Sequence, residues 1–332
     1  MIKKMLKVRP NLEAEVRRGC LAAIFCLEIL GLASCRRIPP TIAVIPRTSG
    51  TWFWEAEHTG VARSAPQHGF QIYWTAPMRD DDVQGQIEIL DQAVKKRVVG
   101  VIVSPIATLP LRTPVRKALA QNTPVVVVGT DLGLAPGKEL AYVLNDEKLG
   151  GQIAARRLGA RLDGRGDIAI LGINPQMTST TERERSLEKT LADEFPDMRV
   201  AFRSFALPTV TQEQQVAEKL LVEGVHVDAI VALSEASTRG AFYALTEFNR
   251  ARTTPLIGFD QNILAPIRTG EIDSVIIQNT YQMGCAAMQL MAQEVSGQPH
   301  ASYVVVPPEL ITRDTIDSEP IKQALDLAWF KP

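Results

Sequence analysis

An excess of charge of either sign is missing from this chain: 36 lysines and arginines stand against 37 aspartates and glutamates, a formal net charge of −1. Binding along a phosphate backbone needs clustered positive charge, so nucleic acid is excluded as an expected partner. Histidine is scarce too. His58, His68, His226 and His300 are the four present, and no spacing among them or with cysteine makes a metal site. All four read as surface or structural residues. There is no GxSxG elbow, no dinucleotide fingerprint and no phosphate loop; Gly150-Gly151 and Gly164-Arg165-Gly166 are isolated pairs that read as a helix-packing site and a turn. Catalysis therefore has no support in the sequence, and no cofactor and no metal are expected.

Long apolar runs are also lacking. The longest candidate is the 14 residues from Cys20 to Ala33, interrupted by Glu28. A helix that spans a bilayer needs roughly 20, so this run is not a stable membrane span. Lys3, Lys4, Lys7, Arg9, Arg17 and Arg18 precede it, and that order reads as a secretion signal. The run ends in Leu32-Ala33-Ser34-Cys35, which resembles the lipobox of bacterial lipoproteins. The resemblance implies that residues 1–34 are a signal peptide cleaved before Cys35, that the Cys35 thiol takes a diacylglyceryl group, and that residues 35–40 form a lipidated tether. Each buried acyl CH₂ then contributes about 0.8 kcal/mol to membrane binding. Cys20 and Cys26 leave with the signal, so Cys285 is the remaining thiol and an intramolecular disulfide is excluded. In an apolar helical stretch from Tyr281 to Val295, Cys285 reads as a buried small hydrophobe.

What is present after residue 40 is an alternation of strand-length apolar runs with longer segments of helical period, persisting to about residue 312. Strands are predicted at Thr41 to Pro46, Phe70 to Thr75, Val98 to Ser104, Pro124 to Gly129 and Tyr142 to Leu144. Five more follow at Asp167 to Gly172, Met198 to Phe205, Val227 to Leu233, Pro255 to Phe259 and Asp273 to Gln278. Helices fall between them, for example Asp81 to Lys96, Thr211 to Glu223 and Ala236 to Phe248. Val98-Val99-Gly100-Val101-Ile102-Val103 is apolar throughout, as a parallel strand covered on both faces requires. Repeated βα units on this scale predict an α/β fold with two doubly wound parallel sheets of about five or six strands each. Ligands of such sheets bind beyond the carboxyl ends of the strands, so the residues just after each strand are the functional candidates. Beyond Thr312, Ser318 as N-cap, Pro320 in the first turn and Ile321, Leu325 and Ala328 at helical spacing predict a short tail helix packed on one lobe.

From Thr41 to about Thr312 the chain resembles the periplasmic sugar-binding protein family, the ribose- and galactose-binding type. Its type I periplasmic binding fold is shared with the effector domains of lactose-repressor-type regulators. The strings that carry the resemblance are Ile42-Ala43-Val44-Ile45 followed by Trp52-Phe53-Trp54, then Pro124 to Val128, Asn145-Asp146 with Gly150-Gly151, Thr181-Glu182-Arg183, Gly258-Phe259-Asp260 and Ile277-Gln278. The resemblance implies two lobes that exchange segments at a three-strand hinge near Asn145, Gln278 and Val306. The expected N-terminal lobe is residues 41–145 plus 279–306, and the C-terminal lobe and tail are residues 146–278 plus 307–332.

It also implies a set of ligand contacts. Phe53 and Trp54 match the aromatics that sandwich a sugar ring, whose apolar C–H faces stack on electron-rich rings. Arg183 matches the ligand arginine, a planar fork for two neighbouring hydroxyls, and Arg185 is near enough in sequence to exchange with it. Asp260 matches an acceptor carboxylate. Gln278 matches an amide near the last crossover, and Ser234 stands where asparagine is frequent. Three positions depart from the family: Arg47 follows the first strand, Thr51 replaces Asn or Asp, and Gly129 replaces an aspartate after the fourth strand, leaving Asp131 as the candidate two positions on.

The function implied is extracytoplasmic, lipid-anchored capture of a monosaccharide or related polyol for an ABC-type permease, by a protein expected to act as a monomer in the periplasm or at the outer face of a membrane. Sensing for a membrane receptor or kinase, and a non-sugar ligand such as an autoinducer or nucleoside, are the alternatives. A repressor would need a basic helix-turn-helix where this chain has its apolar leader, and an enzyme would need a nucleophile or metal set that is not found.

Overall fold

The computed structural model describes residues 39–79 and 81–325. The expected signal segment, Cys35, residues 36–38 of the tether and Ala328 of the tail lie outside the described residues.

The apolar runs form two six-stranded sheets. In the first the order is Tyr303–Val306 (β11), Leu140–Asn145 (β5), Val125–Val128 (β4), Gly100–Val103 (β3), Thr41–Ile45 (β1) and Gln71–Trp74 (β2), all parallel. In the second it is Glu309–Thr312 (β12), Ser274–Ile277 (β10), Leu256–Gly258 (β9), Ala229–Ala232 (β8), Arg165–Ile173 (β6) and Asp197–Phe205 (β7). Here β12 runs antiparallel to β10 and the other pairs are parallel. All ten strands predicted from sequence overlap observed ones. Two of the four edge strands, β11 and β12, were not predicted, because Pro307-Pro308 between them reads as a break and neither is a fully buried apolar run.

Both faces of each sheet are apolar, as the unbroken valine runs require. Ile42 and Val44 of β1 point into one core with Val126 and Met288, while Ala43 and Ile45 point into another with Leu90 and Leu111. The second sheet divides the same way, Leu171 and Ile230 on one side and Ile170 and Val231 on the other. The chain passes between the sheets three times: after β5, after β10, and between β11 and β12. Ile321, in the tail helix Glu319–Ala324, is buried in the core of the second sheet with Ile311 and Ile316.

Two helix crossings set the positions of later importance. Helices Trp52–Ser64 (α1) and Thr280–Val295 (α9) pack on the first sheet and touch backbone to backbone. A Cβ on Gly60 would lie 2.1 Å from the Tyr281 carbonyl oxygen, and one on Gly284 would lie 2.3 Å from the Glu57 carbonyl oxygen. Helices Glu147–Arg161 (α4) and Thr178–Glu194 (α5) cross in the same way on the second sheet. There a Cβ on Gly151 would meet the Arg183 carbonyl oxygen at 2.2 Å. Gly150-Gly151 is therefore a packing site, and Gly164, at φ 74°, makes the turn read from the sequence.

Gly60→Ala and Gly284→Ala each force two backbones apart and are expected to lower unfolding free energy by about 1–3 kcal/mol. Gly137→Ala, where nothing lies within 4 Å of an added Cβ, is expected to stay within about 0.5 kcal/mol in the same urea titrations.

Candidate functional site

Residues at and just beyond the carboxyl ends of β1, β3, β4, β5, β8, β9 and β10 line one cavity of about 480 Å³, built from both sheets and of a size that holds a small ligand. It lies where strand order reverses, at β1 between β2 and β3 and at β6 between β7 and β8.

Arg183 organises the second-sheet wall. Its Nε donates to Glu147 Oε2 at 2.6 Å and its Nη1 to the Leu233 carbonyl at 2.7 Å, and its guanidinium sits 4.3 Å over the Phe259 ring. Glu147 is the first residue of α4, where the helix dipole favours a carboxylate. Gln278, just past β10, donates its Nε2 to Glu147 Oε1 at 2.8 Å. Asp260, past β9, has a fully buried side chain that accepts from Arg239 Nε at 2.8 Å and from the Asn262 backbone N–H at 2.7 Å. Arg239 also pairs with Glu235 at 2.6 Å.

The first-sheet wall is built on the opening turns of α1. Phe53 and Trp54 meet edge to face with ring centroids 4.6 Å apart, and both line the cavity. One helical turn beyond Phe53 comes Glu57, 1% exposed, whose two carboxyl oxygens each lie 3.1 Å from the Ser104 hydroxyl at the end of β3. Burial pushes the Glu57 carboxyl up to about 8 despite the hydrogen bond from Ser104.

Seven predicted contacts share this one cavity: Thr51, Phe53, Trp54, Arg183, Ser234, Asp260 and Gln278. Asp131 does not. Gly129 at φ +79° turns the chain after β4, and Asp131 is exposed with Oδ1 accepting from the Gly133 N–H at 2.6 Å. Its carboxylate closes its own loop, and Gly129 and Thr130 take the cavity position. The choice between Arg183 and Arg185 is decided by helix phase: Arg185 is exposed and pairs with Glu182, whereas Arg183 is 7% exposed and lines the cavity. Ser234 lines it too, but its hydroxyl is engaged as N-cap of helix Glu235–Glu247, in a reciprocal capping box with Ser237.

Sequence reasoning missed Glu57, Ser104 and Glu147. The signal for Glu57 was available, because it stands four residues from Phe53 and so shares its face of a helix. Glu147 follows the Asn145-Asp146 string at a strand's carboxyl end, a position the α/β rule marks for function. Among the described residues no group of His, Cys, Asp and Glu side chains could hold a metal ion, and no helix is long and apolar enough to cross a membrane.

Glu147→Ala strips the buried Arg183 of its counter-ion and is expected to cost about 3 kcal/mol in denaturant unfolding. Asp131→Ala, on an exposed loop, is expected to change stability by less than about 1 kcal/mol.

Known proteins share this architecture. The chain is 22% identical to the ribose import binding protein RbsB of Bacillus subtilis over 89% of its length and 99% of that protein. It is also 22% identical to the D-ribose/D-allose-binding protein of Pseudomonas aeruginosa, over 82% of this chain and 89% of that one. Among solved structures, a sugar ABC transporter sugar-binding protein from Bacillus halodurans superposes with a TM-score of 0.79 at 23% identity, covering 84% of this chain and 99% of that one. A solute-binding protein from Agrobacterium vitis bound with alpha-D-tagatopyranose does so with a TM-score of 0.74 at 20% identity, covering 85% of this chain and 98% of that one. Residues 42–299 match the periplasmic binding protein domain, and the chain belongs to that family.

Proposed function

We propose that this protein captures a monosaccharide or related polyol between its two lobes and delivers it to an ABC-type importer, without a catalytic step. The observation that carries the reading is the cavity itself, in which an aromatic wall of Phe53 and Trp54 stands with the buried Arg183 and with Asp260 and Gln278. Aromatic faces take the C–H surface of a sugar ring, and charged donors and acceptors take its hydroxyls. The sugar-binding relatives named above support the same assignment.

Periplasmic binding proteins act outside the cytoplasm, and the basic, apolar leader agrees with export. We extend the proposal to a lipid anchor on Cys35, to action as a monomer, and to lobes made of residues 41–145 plus 279–306 and 146–278 plus 307–332. Contacts from both lobes favour a closed state by their differential affinity, which a permease can read.

Calorimetric titration of the ligand-freed protein against pentoses, hexoses and inositols tests the reading. Saturable one-to-one binding is expected, and Arg183→Ala is expected to weaken it about 100-fold, the equivalent of one or two charge-assisted hydrogen bonds. Absence of binding across the panel, or full binding by the Arg183→Ala protein, would defeat it.

A further inference from the structure

One carboxyl group that lines the cavity has no charged partner. Glu57, Glu147, Glu235 and Asp260 are four carboxyl groups, facing Arg47 and Arg183. Arg183 is taken by Glu147, and Arg239, set behind the wall, is shared by Glu235 and Asp260. Glu57 is left with a single neutral donor, the Ser104 hydroxyl, and no ion pair reaches it among the described residues. Its place is deep, 1% exposed, on a helical turn whose backbone carbonyl faces Gly284 of α9.

A second feature of the same cavity points the same way. Gln261 Oε1 and Thr280 Oγ1 line it, in residues 8% and 2% exposed, and neither atom has a hydrogen-bond partner. Both oxygens accept hydrogen bonds, as does each Glu57 oxygen. A neutral sugar hydroxyl offers one proton and no charge; a protonated amine offers three N–H donors and the cation that a buried carboxylate lacks.

We propose that the ligand of this cavity carries a protonated amine, as in an amino sugar or an aminocyclitol, and that its ammonium group seats against the Glu57 carboxylate. The inference rests on the small-molecule capture assigned above and narrows its ligand class.

Proton linkage separates an ammonium from a hydroxyl at this position. With its carboxyl raised to about 8 by burial, Glu57 is protonated at pH 7 in the empty cavity. An arriving ammonium displaces that proton to the buffer, about 0.9 per ligand bound at pH 7. A neutral sugar leaves the carboxyl protonated and releases none. Affinity for the cation therefore rises with pH up to about 8, close to tenfold per unit below pH 7, for as long as the ligand amine stays charged. Other charged or titratable groups on the packed elements are Glu55 and His58, which pair with each other at 3.0 Å, Arg63, whose guanidinium lies over the Tyr281 ring, and Arg47, Tyr281 and Cys285; Glu294, near the far end of α9 and outside the cavity, has a carboxyl that burial also raises to about 8. Burial raises the Cys285 thiol further above neutrality, so it stays protonated across this range.

The test is calorimetry on protein expressed from the full-length sequence and freed of copurified ligand. Matched pairs of neutral and amino compounds, glucose with glucosamine, galactose with galactosamine and an inositol with its inosamine, are titrated at pH 7 in phosphate and in Tris. At least one amino compound is expected to bind about 100-fold tighter than its neutral partner, with proton release near 0.9 from the buffer comparison. Glu57→Gln is expected to bring the ratio within that pair to about one and to abolish the release. Equal affinities within every pair, amine binding without proton release, or a preference that survives Glu57→Gln would each overturn the proposal while leaving sugar capture intact. Binding by neither class would overturn sugar capture, and this proposal with it.

Discussion

The ion pair between Arg183 and Glu147 ties together more of this molecule than any other single contact. Glu147 opens α4 directly after the chain has left the first sheet, Arg183 sits one turn into α5, and the guanidinium reaches the Leu233 carbonyl past β8 while Gln278 past β10 shares the carboxylate. Four segments separated by as many as 131 residues therefore depend on one buried charge pair. A pair like this contributes little net stability over an apolar equivalent, because both charges lose water. What it contributes is position: a guanidinium face and edge held at fixed geometry toward the cavity, with Gly151 allowing the backbone of α5 to approach α4 closely enough for the two side chains to meet.

Charge distribution in the cavity follows from the same topology. Parallel strands followed by helices direct helix N-termini, with their positive ends, at the site, so carboxylates at first helical positions such as Glu147 and Glu235 are favoured by the backbone before any side chain compensates them. Glu57 has no such help, since it lies in the second turn of α1 and is buried between that helix and the end of β3. Its environment differs in kind from that of the other three carboxylates.

Most of the architecture was legible in the sequence because the strands are fully buried. Val125 to Val128 and Ala229 to Ala232 have one covered environment on both faces, and unbroken apolar runs announce it. The edge strands β11 and β12 carry no such signature, with half-exposed four-residue stretches on either side of two prolines. Cavity-lining residues were legible where residue type and family pattern coincided, as at Phe53, Trp54, Arg183, Asp260 and Gln278. Asp131 lies off the cavity for a local reason, a left-handed glycine after β4 and a loop that its own carboxylate closes. The choice between Arg183 and Arg185 needed the phase of a helix, and the cap role of Ser234 needed the start of one. Glu57 carried a signal in its helical phase with Phe53, but its depth beside Ser104 depends on how α1 packs on the end of β3, which spacing does not give.

The three passages between the sheets are not mechanically alike. The first ends on Asp146 and the second on Asn279, each capping the helix that follows, so torsional freedom at both is concentrated in the residue or two before the cap. The third is Pro307-Pro308, where two rings hold φ near about −65° and remove two backbone donors. A rotation of one sheet against the other must then be absorbed by the two capped passages while the diproline turns almost as a rigid strut.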